Sequence, residues 1–181
     1  MKYILFYLSV ILSLEACAQE FGEISYTDFQ QIIVDSQISI DNASDIHNDF
    51  STLRTTLSPL GNPTFDECVT DIIGSSCEFD FSGLTLSYVD VGNGLELAKM
   101  EFTNGDHFLK KGSSTYRVGN NISALSNLSN AAYQSRGAVI YNGQTIYAVR
   151  IVINSSSSYL VFEYNPLNNT ITSIRFVTVV T

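Results

Sequence analysis

Chemistry in this chain would have to come from few side chains. The candidates are His47 and His107, the cysteines Cys17, Cys68 and Cys77, and an acidic cluster at Asp66, Glu67 and Asp71. A histidine moves protons in catalysis only where a nucleophile or a second titratable group converges with it. His47 follows Ile46 on the polar side of a predicted helix, and His107 stands just past the Asn104-Gly105 turn. Neither has a neighbour at a spacing that marks such a pair. The sequence contains no Gly-x-Ser-x-Gly, no phosphate loop and no His-Glu-x-x-His. No catalytic residue and no cofactor is therefore assigned, and the chain is predicted not to be an enzyme.

Metal binding is equally unsupported. Cys68 and Cys77 cannot complete a tetrahedral zinc site alone, and no histidine lies near them. The cluster Asp66, Glu67 and Asp71 lacks the oxygen-ligand spacing of a calcium loop, so it is expected to be a solvated loop. Nine positions apart in a loop-like stretch, Cys68 and Cys77 instead predict a local disulfide, formed in an oxidising compartment. A ring of that size contributes about 2–3 kcal/mol on the chain-entropy model.

The N-terminus points to the same compartment. Lys2 followed by the apolar stretch Tyr3–Leu14 is a targeting segment too short to span a membrane as a mature helix. Two ends to the leader (residues 1–18) are open. Leu14-Glu15-Ala16-Cys17 resembles the lipobox of bacterial lipoproteins, with Cys17 as the lipidated residue, although Glu15 departs from the small or apolar residue favoured there. Ala16-Cys17-Ala18 also fits the small-x-small rule for ordinary cleavage. The expected location is the periplasm or the cell surface, with a lipid anchor in the outer membrane.

The elements that must position these groups are strands. From Ala138 to Val179 four apolar runs are separated by Asn142-Gly143, Asn154–Ser158 and Asn165–Asn169, which leaves room only for an antiparallel meander. Alternation places Tyr147, Val149, Ile151 and Ile153 with Leu160, Phe162, Tyr164, Ile174 and Phe176 on one buried face. The other face carries Arg150, Glu163 and Arg175. With Glu163 between the two arginines, this predicts a solvated cross-strand charge row.

Upstream, residues 19–37 are expected to be a tether and a first helix. A better helix carries Ile46, Phe50, Leu53 and Leu57 on one face, with Asn42 or Ser44 as its cap. It ends at Pro59 and Gly61. After the cysteine loop come strands at Leu84–Val91, Leu95–Thr103 and Asp106–Lys110, with a less strongly patterned one at Glu78–Phe81. A second helix follows, marked by Ile122, Leu125, Leu128 and Ala132. The predicted fold is α+β: two tandem helix-plus-four-strand antiparallel meander units, 38–115 and 116–181, with the helices packed on one face of the sheet.

Two such units in an exported chain, with a short apolar segment before each helix and the helix exit Leu60-Gly61-Asn62-Pro63, resemble the β-lactamase-inhibitory proteins. Used once, the unit resembles the small lipoproteins of outer-membrane assembly. The resemblance covers about residues 38–178 and implies a fold and a protein-binding role. No inhibitory residue carries over, because the loop and concave-face positions those proteins use have no match here.

Charge is divided along the chain. Residues 20–106 carry a net −14 and residues 107–181 a net +5, within an overall −9. An acidic first half suits a basic protein partner. Nucleic acid is excluded as a partner, since phosphate would be repelled and there is no dense basic stripe. Tyrosines beside the strands suit recognition. The candidate partner contacts are Tyr147 and Tyr159 with the acidic residues Asp66, Glu67 and Asp71. The five Asn-x-Ser/Thr sites, at Asn42, Asn121, Asn127, Asn154 and Asn168, are read as caps and turns rather than glycan acceptors. The expected role is a non-enzymatic, lipid-anchored protein-binding domain of the bacterial envelope, inhibitor-like or assembly-related. The alternative is a secreted hydrolase or a carbohydrate-binding module.

Overall fold

The computed structural model describes residues 22–178 apart from 73 and 142. The leader, Cys17 and Val179 lie outside the described residues. Among the described residues thirteen strands make two sheets. The large one contains β1 (Gly22–Ile24), β4 (Phe65–Asp71), β5 (Gly74–Asp80), β6 (Leu84–Asp90), β7 (Leu95–Phe102), β10 (Gly137–Tyr141), β11 (Gln144–Ile153), β12 (Ser158–Asn165) and β13 (Thr170–Thr178). The small one contains β2 (Ile33–Val34), β3 (Ile38–Ser39), β8 (Leu109–Lys111) and β9 (Ser114–Tyr116).

The large sheet runs β4-β5-β6-β7-β13-β12-β11, and then the far edge of β11 is shared between two short strands. β10 pairs antiparallel with its first half and β1 parallel with its second. Two four-stranded meanders therefore meet last strand to last strand, Ile174 opposite Phe102 and Phe176 opposite Met100. The predicted antiparallel meander at the C-terminus is present, and the mixed α+β class with it. The parallel strand β1 is not legible in the sequence: three residues, Gly22-Glu23-Ile24, hold too little pattern. Gly22 is needed there, because a Cβ would stand 2.1 Å from the Ala132 backbone nitrogen.

Helices are shorter than the periodicity predicts, because local caps and tight turns interrupt it. The first expected helix is α1 (Tyr26–Gln30), started by Ser25, whose Oγ accepts from the Asp28 N–H. Asp35 and Ser36 then both adopt positive φ, 51° and 60°, which makes the reversal between β2 and β3. The second expected helix is broken in two. α2 (Ile40–Ser44) is capped by Ser39, and α3 (Phe50–Leu57) by Asp49. Between them His47 leaves the helical path to bridge Leu95, with two backbone hydrogen bonds of 2.9 and 2.8 Å. Gly94 permits this approach, since a Cβ there would be 2.6 Å from the His47 carbonyl oxygen. Ile46, expected on the buried face, is consequently 45% exposed. The third expected helix is likewise split into a 3-10 segment, Ile122–Asn127, and α4 (Asn130–Gln134).

One face of the large sheet holds the core. Phe79, Leu86, Tyr88, Leu97, Met100, Phe102, Ile151, Leu160, Phe162, Ile174 and Phe176 are all buried in a single cluster with Phe29, Leu53, Leu57, Ile122, Leu125 and Ala132 from the helical segments. Phe29 stacks on Phe176 at 5.6 Å, and Tyr116 of the small sheet meets Phe162 edge-on at 6.3 Å. The buried Tyr88 hydroxyl donates to the Ala43 carbonyl at 2.9 Å, so its polar end is satisfied inside the core. Because this core is continuous across β7 and β13, the two meanders share it.

Candidate functional site

The face turned away from the helices is not the solvated charge row that alternation suggested. In the register, Val161 lies opposite both Arg150 and Arg175, and Glu163 is two pairs further along, opposite Ala148 and Ser173. Glu163 reaches Arg175 diagonally as an ion pair. Both are largely enclosed, with side-chain exposures of 23% and 11%. The reason is the neighbourhood. Val139 and Tyr141 of β10, Ile146 and Val152 of β11, Tyr159 and Val161 of β12 and Val177 of β13 share this face. Together with Ile140, Arg150 and Arg175 they line a groove of about 370 Å³.

Arg175 lies across the groove with its guanidinium 4.5 Å from the centre of the Tyr141 ring. Such stacking uses the flat, weakly hydrated guanidinium rather than a point charge. Its Nε is buried with no hydrogen-bond partner among the described residues. Burial lowers the pKa of Arg150 from its ordinary value, but the ordinary arginine value is so high that the group stays cationic at neutral pH.

The sequence-predicted contacts do not form one site. Tyr159 lines the groove, but Tyr147 points to the opposite face, 40% exposed and edge-on to Tyr164 at 5.9 Å. Asp66, Glu67 and Asp71 are not in a loop: they lie in β4, the opposite edge strand, five strand spacings from Tyr159, or about 24 Å. Asp66 is bound by Arg54 through two hydrogen bonds of 2.8 and 2.7 Å, and this pairing lowers its carboxyl below its ordinary value. Alternation puts Asp66 on the helix side and Glu67 and Asp71 on the other face, so even the three acids separate.

Cys68 and Cys77 are directly opposed on β4 and β5 and form a disulfide with Cα atoms 4.1 Å apart. What the cysteine spacing suggested as a loop is a hairpin. Glycine and serine at its tip weakened the strand signal. Among the described residues no three His, Cys, Asp or Glu side chains come together as a metal site requires. No helix of these residues is long and apolar enough to cross a membrane.

The two histidines sit in different settings. His47 is 5% exposed, edge-on to Tyr88 at 5.9 Å, and its Nε2 has no partner among the described residues. His107 is held on both sides. Its Nδ1 is 2.5 Å from Asp35 Oδ2 and its Nε2 2.6 Å from the Phe81 carbonyl oxygen. Asp35 also accepts from the Phe108 N–H at 2.9 Å. Two acceptors facing one ring favour the doubly protonated form.

The groove residues missed by sequence reasoning did leave a signal. Ile146, Val152, Tyr159, Val161 and Val177 fall at the positions assigned to the wet face. Strands apolar at both parities are buried or occupied on both faces. Arginines inside such runs are the exception to be explained.

No protein-family model matches this chain, and no curated protein matches it. Among solved structures, it is similar to an extracellular protein containing a SCP domain from Bacillus anthracis. That match has 7% identity and a TM-score of 0.45, and covers 80% of this chain and 47% of the other. It is also similar to a cysteine-rich secretory protein from Staphylococcus aureus, at 10% identity and a TM-score of 0.41, covering 88% of this chain and 51% of that one. The chain thus spans about half the length of the structures it matches. These neighbours replace the expected likeness to β-lactamase-inhibitory proteins and small assembly lipoproteins. That expectation rested on the order of elements, export, the apolar segment before each helix and the Leu60-Gly61-Asn62-Pro63 exit; the observed order includes a small sheet and a parallel edge strand it did not contain.

Proposed function

We propose that the protein is an exported, non-enzymatic binding protein whose recognition surface is the groove across β10–β13. The observation that carries this reading is the groove itself: an apolar concavity on the sheet face opposite the helices, with walls from four adjacent strands and charged groups at defined points. Export is supported by the leader and by the Cys68–Cys77 disulfide. A lipid anchor at Cys17 would place the domain at a membrane surface. A Cys17→Ala variant is then expected to lose membrane association, and one that stays membrane-bound rules the anchor out. The two meanders, each following two short helical segments, support a reading of the fold as a duplicated unit.

A neutral apolar dye, N-phenyl-1-naphthylamine, tests the groove reading. Its fluorescence should rise with the exported protein and not with Val161→Asp, at unchanged circular dichroism. Equal signals from both proteins would remove the groove as the site.

A second reading places a basic protein partner at the acidic edge strand β4, where Glu67 and Asp71 face away from the helices beside half-exposed Phe65 and Val69. Capture by that edge should be lost at high salt and in Glu67→Lys, whereas capture by the groove should survive both.

A further inference from the structure

Two hydrogen-bond donors on the open face are unused among the described residues. Three buried side-chain polar atoms have no partner there: His47 Nε2, Ser173 Oγ and Arg175 Nε. The last two stand on β13, two positions apart and so on one face of the sheet. Buried polar atoms are nearly always paired, and each exception needs a reason. The His47 ring lies in the core beside Tyr88. Arg175 instead lines the groove, with a side chain only 11% exposed.

The charge of Arg175 is already met. Glu163 holds it in an ion pair, and Glu101 stands directly opposite it on β7. A carboxylate ligand here would bring a further negative charge beside two others, which like-charge repulsion disfavours. What the Nε–H lacks is a neutral acceptor. Arginine donates and never accepts, so the matching head group is one that only accepts. The rest of the groove is aliphatic. Val161 lies directly opposite Arg175 on β12 and Val177 two positions along β13, with Val139, Ile146 and Val152 beyond. Its volume of about 370 Å³ is within the range of small-molecule sites, roughly 300–1,000 Å³.

We propose that the groove binds a neutral fatty acyl ester, with its carbonyl oxygen accepting from the Arg175 Nε–H and its alkyl chain against Val139, Ile146, Val152, Val161 and Val177. The inference rests on the reading of the groove as the recognition surface. An ester carbonyl recovers the unused donor without adding charge beside Glu163, and it brings no N–H or O–H that would need an acceptor of its own. The Tyr141 ring, 4.5 Å from the guanidinium and 47% exposed, is the side chain that gives way to the carbonyl.

The test uses the protein purified after export and three ligands: methyl octanoate, methyl octyl ether and octanoate. The ester and the ether have chains of equal length and differ by one carbonyl oxygen. Each competes with N-phenyl-1-naphthylamine. The ester should displace the dye about tenfold more effectively than the ether, the ratio expected of one hydrogen bond from a charged donor, and octanoate should be the weakest. The carbonyl stretch of the bound ester should lie at lower frequency than in hexane, as a hydrogen-bonded carbonyl does. Arg175→Lys keeps a positive charge beside Glu163 but has no Nε–H. It should bind the dye and lose both the ester–ether difference and the frequency shift. Should that variant fail to fold, the frequency in the unaltered protein decides. Equal displacement by ester and ether, or an unshifted carbonyl, would overturn the ester assignment and leave the groove as an apolar site. Stronger displacement by octanoate than by the ester would overturn the neutral class. Failure of the dye itself to bind would remove the groove reading on which the inference stands.

Discussion

The two meanders are built alike and finished differently. β4–β7 ends in an edge strand that carries Asp66, Glu67 and Asp71 and is stapled to its neighbour by Cys68–Cys77. β10–β13 ends in Gly137–Tyr141, which has no charge and no covalent brace. On the face away from the helices, the first meander mixes Phe65, Val69 and Val89 with Glu67, Glu78, Ser87, Lys99 and Glu101, while the second presents the more continuously apolar groove. Charges on an edge strand discourage addition of another chain. The edge of the first meander is therefore protected against strand addition, and that of the second is not.

If the two meanders really share one core, damage to either should unfold both. Phe102→Ala removes a ring from the β7 side of the junction, and Phe162→Ala one from β12. Both rings are fully buried. Each truncation should cost about 3–5 kcal/mol, read by chemical denaturation. The sharper readout is the number of transitions. One transition in both variants, with hydrogen exchange lost together in β6 and β12, is the expected result. Two separated transitions would show that the halves are independent and break the comparison at its base.

The disulfide is the next largest asymmetry. Cys68→Ala with Cys77→Ala should lower stability by about 2–3 kcal/mol. The loosening should be concentrated in β4 and β5, because β4 has no partner strand on its outer side among the described residues. Exchange in β10 should stay as it was. If β10 loosens as much as β4, the staple is bracing the shared core rather than one edge.

Much of this asymmetry was legible in residue types but not in their arrangement. The long strands β6, β7, β11, β12 and β13 follow from alternation and from Asn-Gly and Gly-rich turns, and the covered face was identified correctly from Val149 through Phe176. The disulfide followed from cysteine spacing. The groove was hidden by a two-residue shift of register. With Glu163 placed between the arginines the face looks like a polar ladder. With Val161 there, as the register has it, the same face is apolar with charges at its margins. Side-chain period alone cannot fix which residues of neighbouring strands oppose each other. The broken helices were missed for a different reason. Ile46 satisfies apolar periodicity in the sequence, yet the backbone of the next residue, His47, pairs with Leu95, a contact 48 residues away that no local pattern encodes.

The smallest effect separates how each meander is fastened to the elements over it. At β13, backbone groups do the fastening: the Gly119 N–H donates to the Ile171 carbonyl at 2.8 Å and the Ile122 N–H to that of Asn169 at 2.9 Å. These bonds do not titrate. At the turn between β5 and β6 the fastening is ionic, through His107 between the Phe81 carbonyl and Asp35 of the small-sheet turn. Burial alone would lower the pKa of His107. The bonds to Asp35 and Phe81, with the charges of Asp35 and Asp106, outweigh it and leave the pKa raised. A raised folded value means that the unfolded chain, titrating near 6.5, releases its proton first as pH rises. The contribution is then fully present below about pH 6.5 and is lost as pH climbs through the folded value. Stability should therefore decline on the alkaline side of neutrality, His107→Gln should flatten that slope, and exchange at Asp35 and Phe108 should quicken while Gly119 and Ile122 stay unchanged. An identical pH response at the β13 fastening would show that the slope comes from a group other than His107.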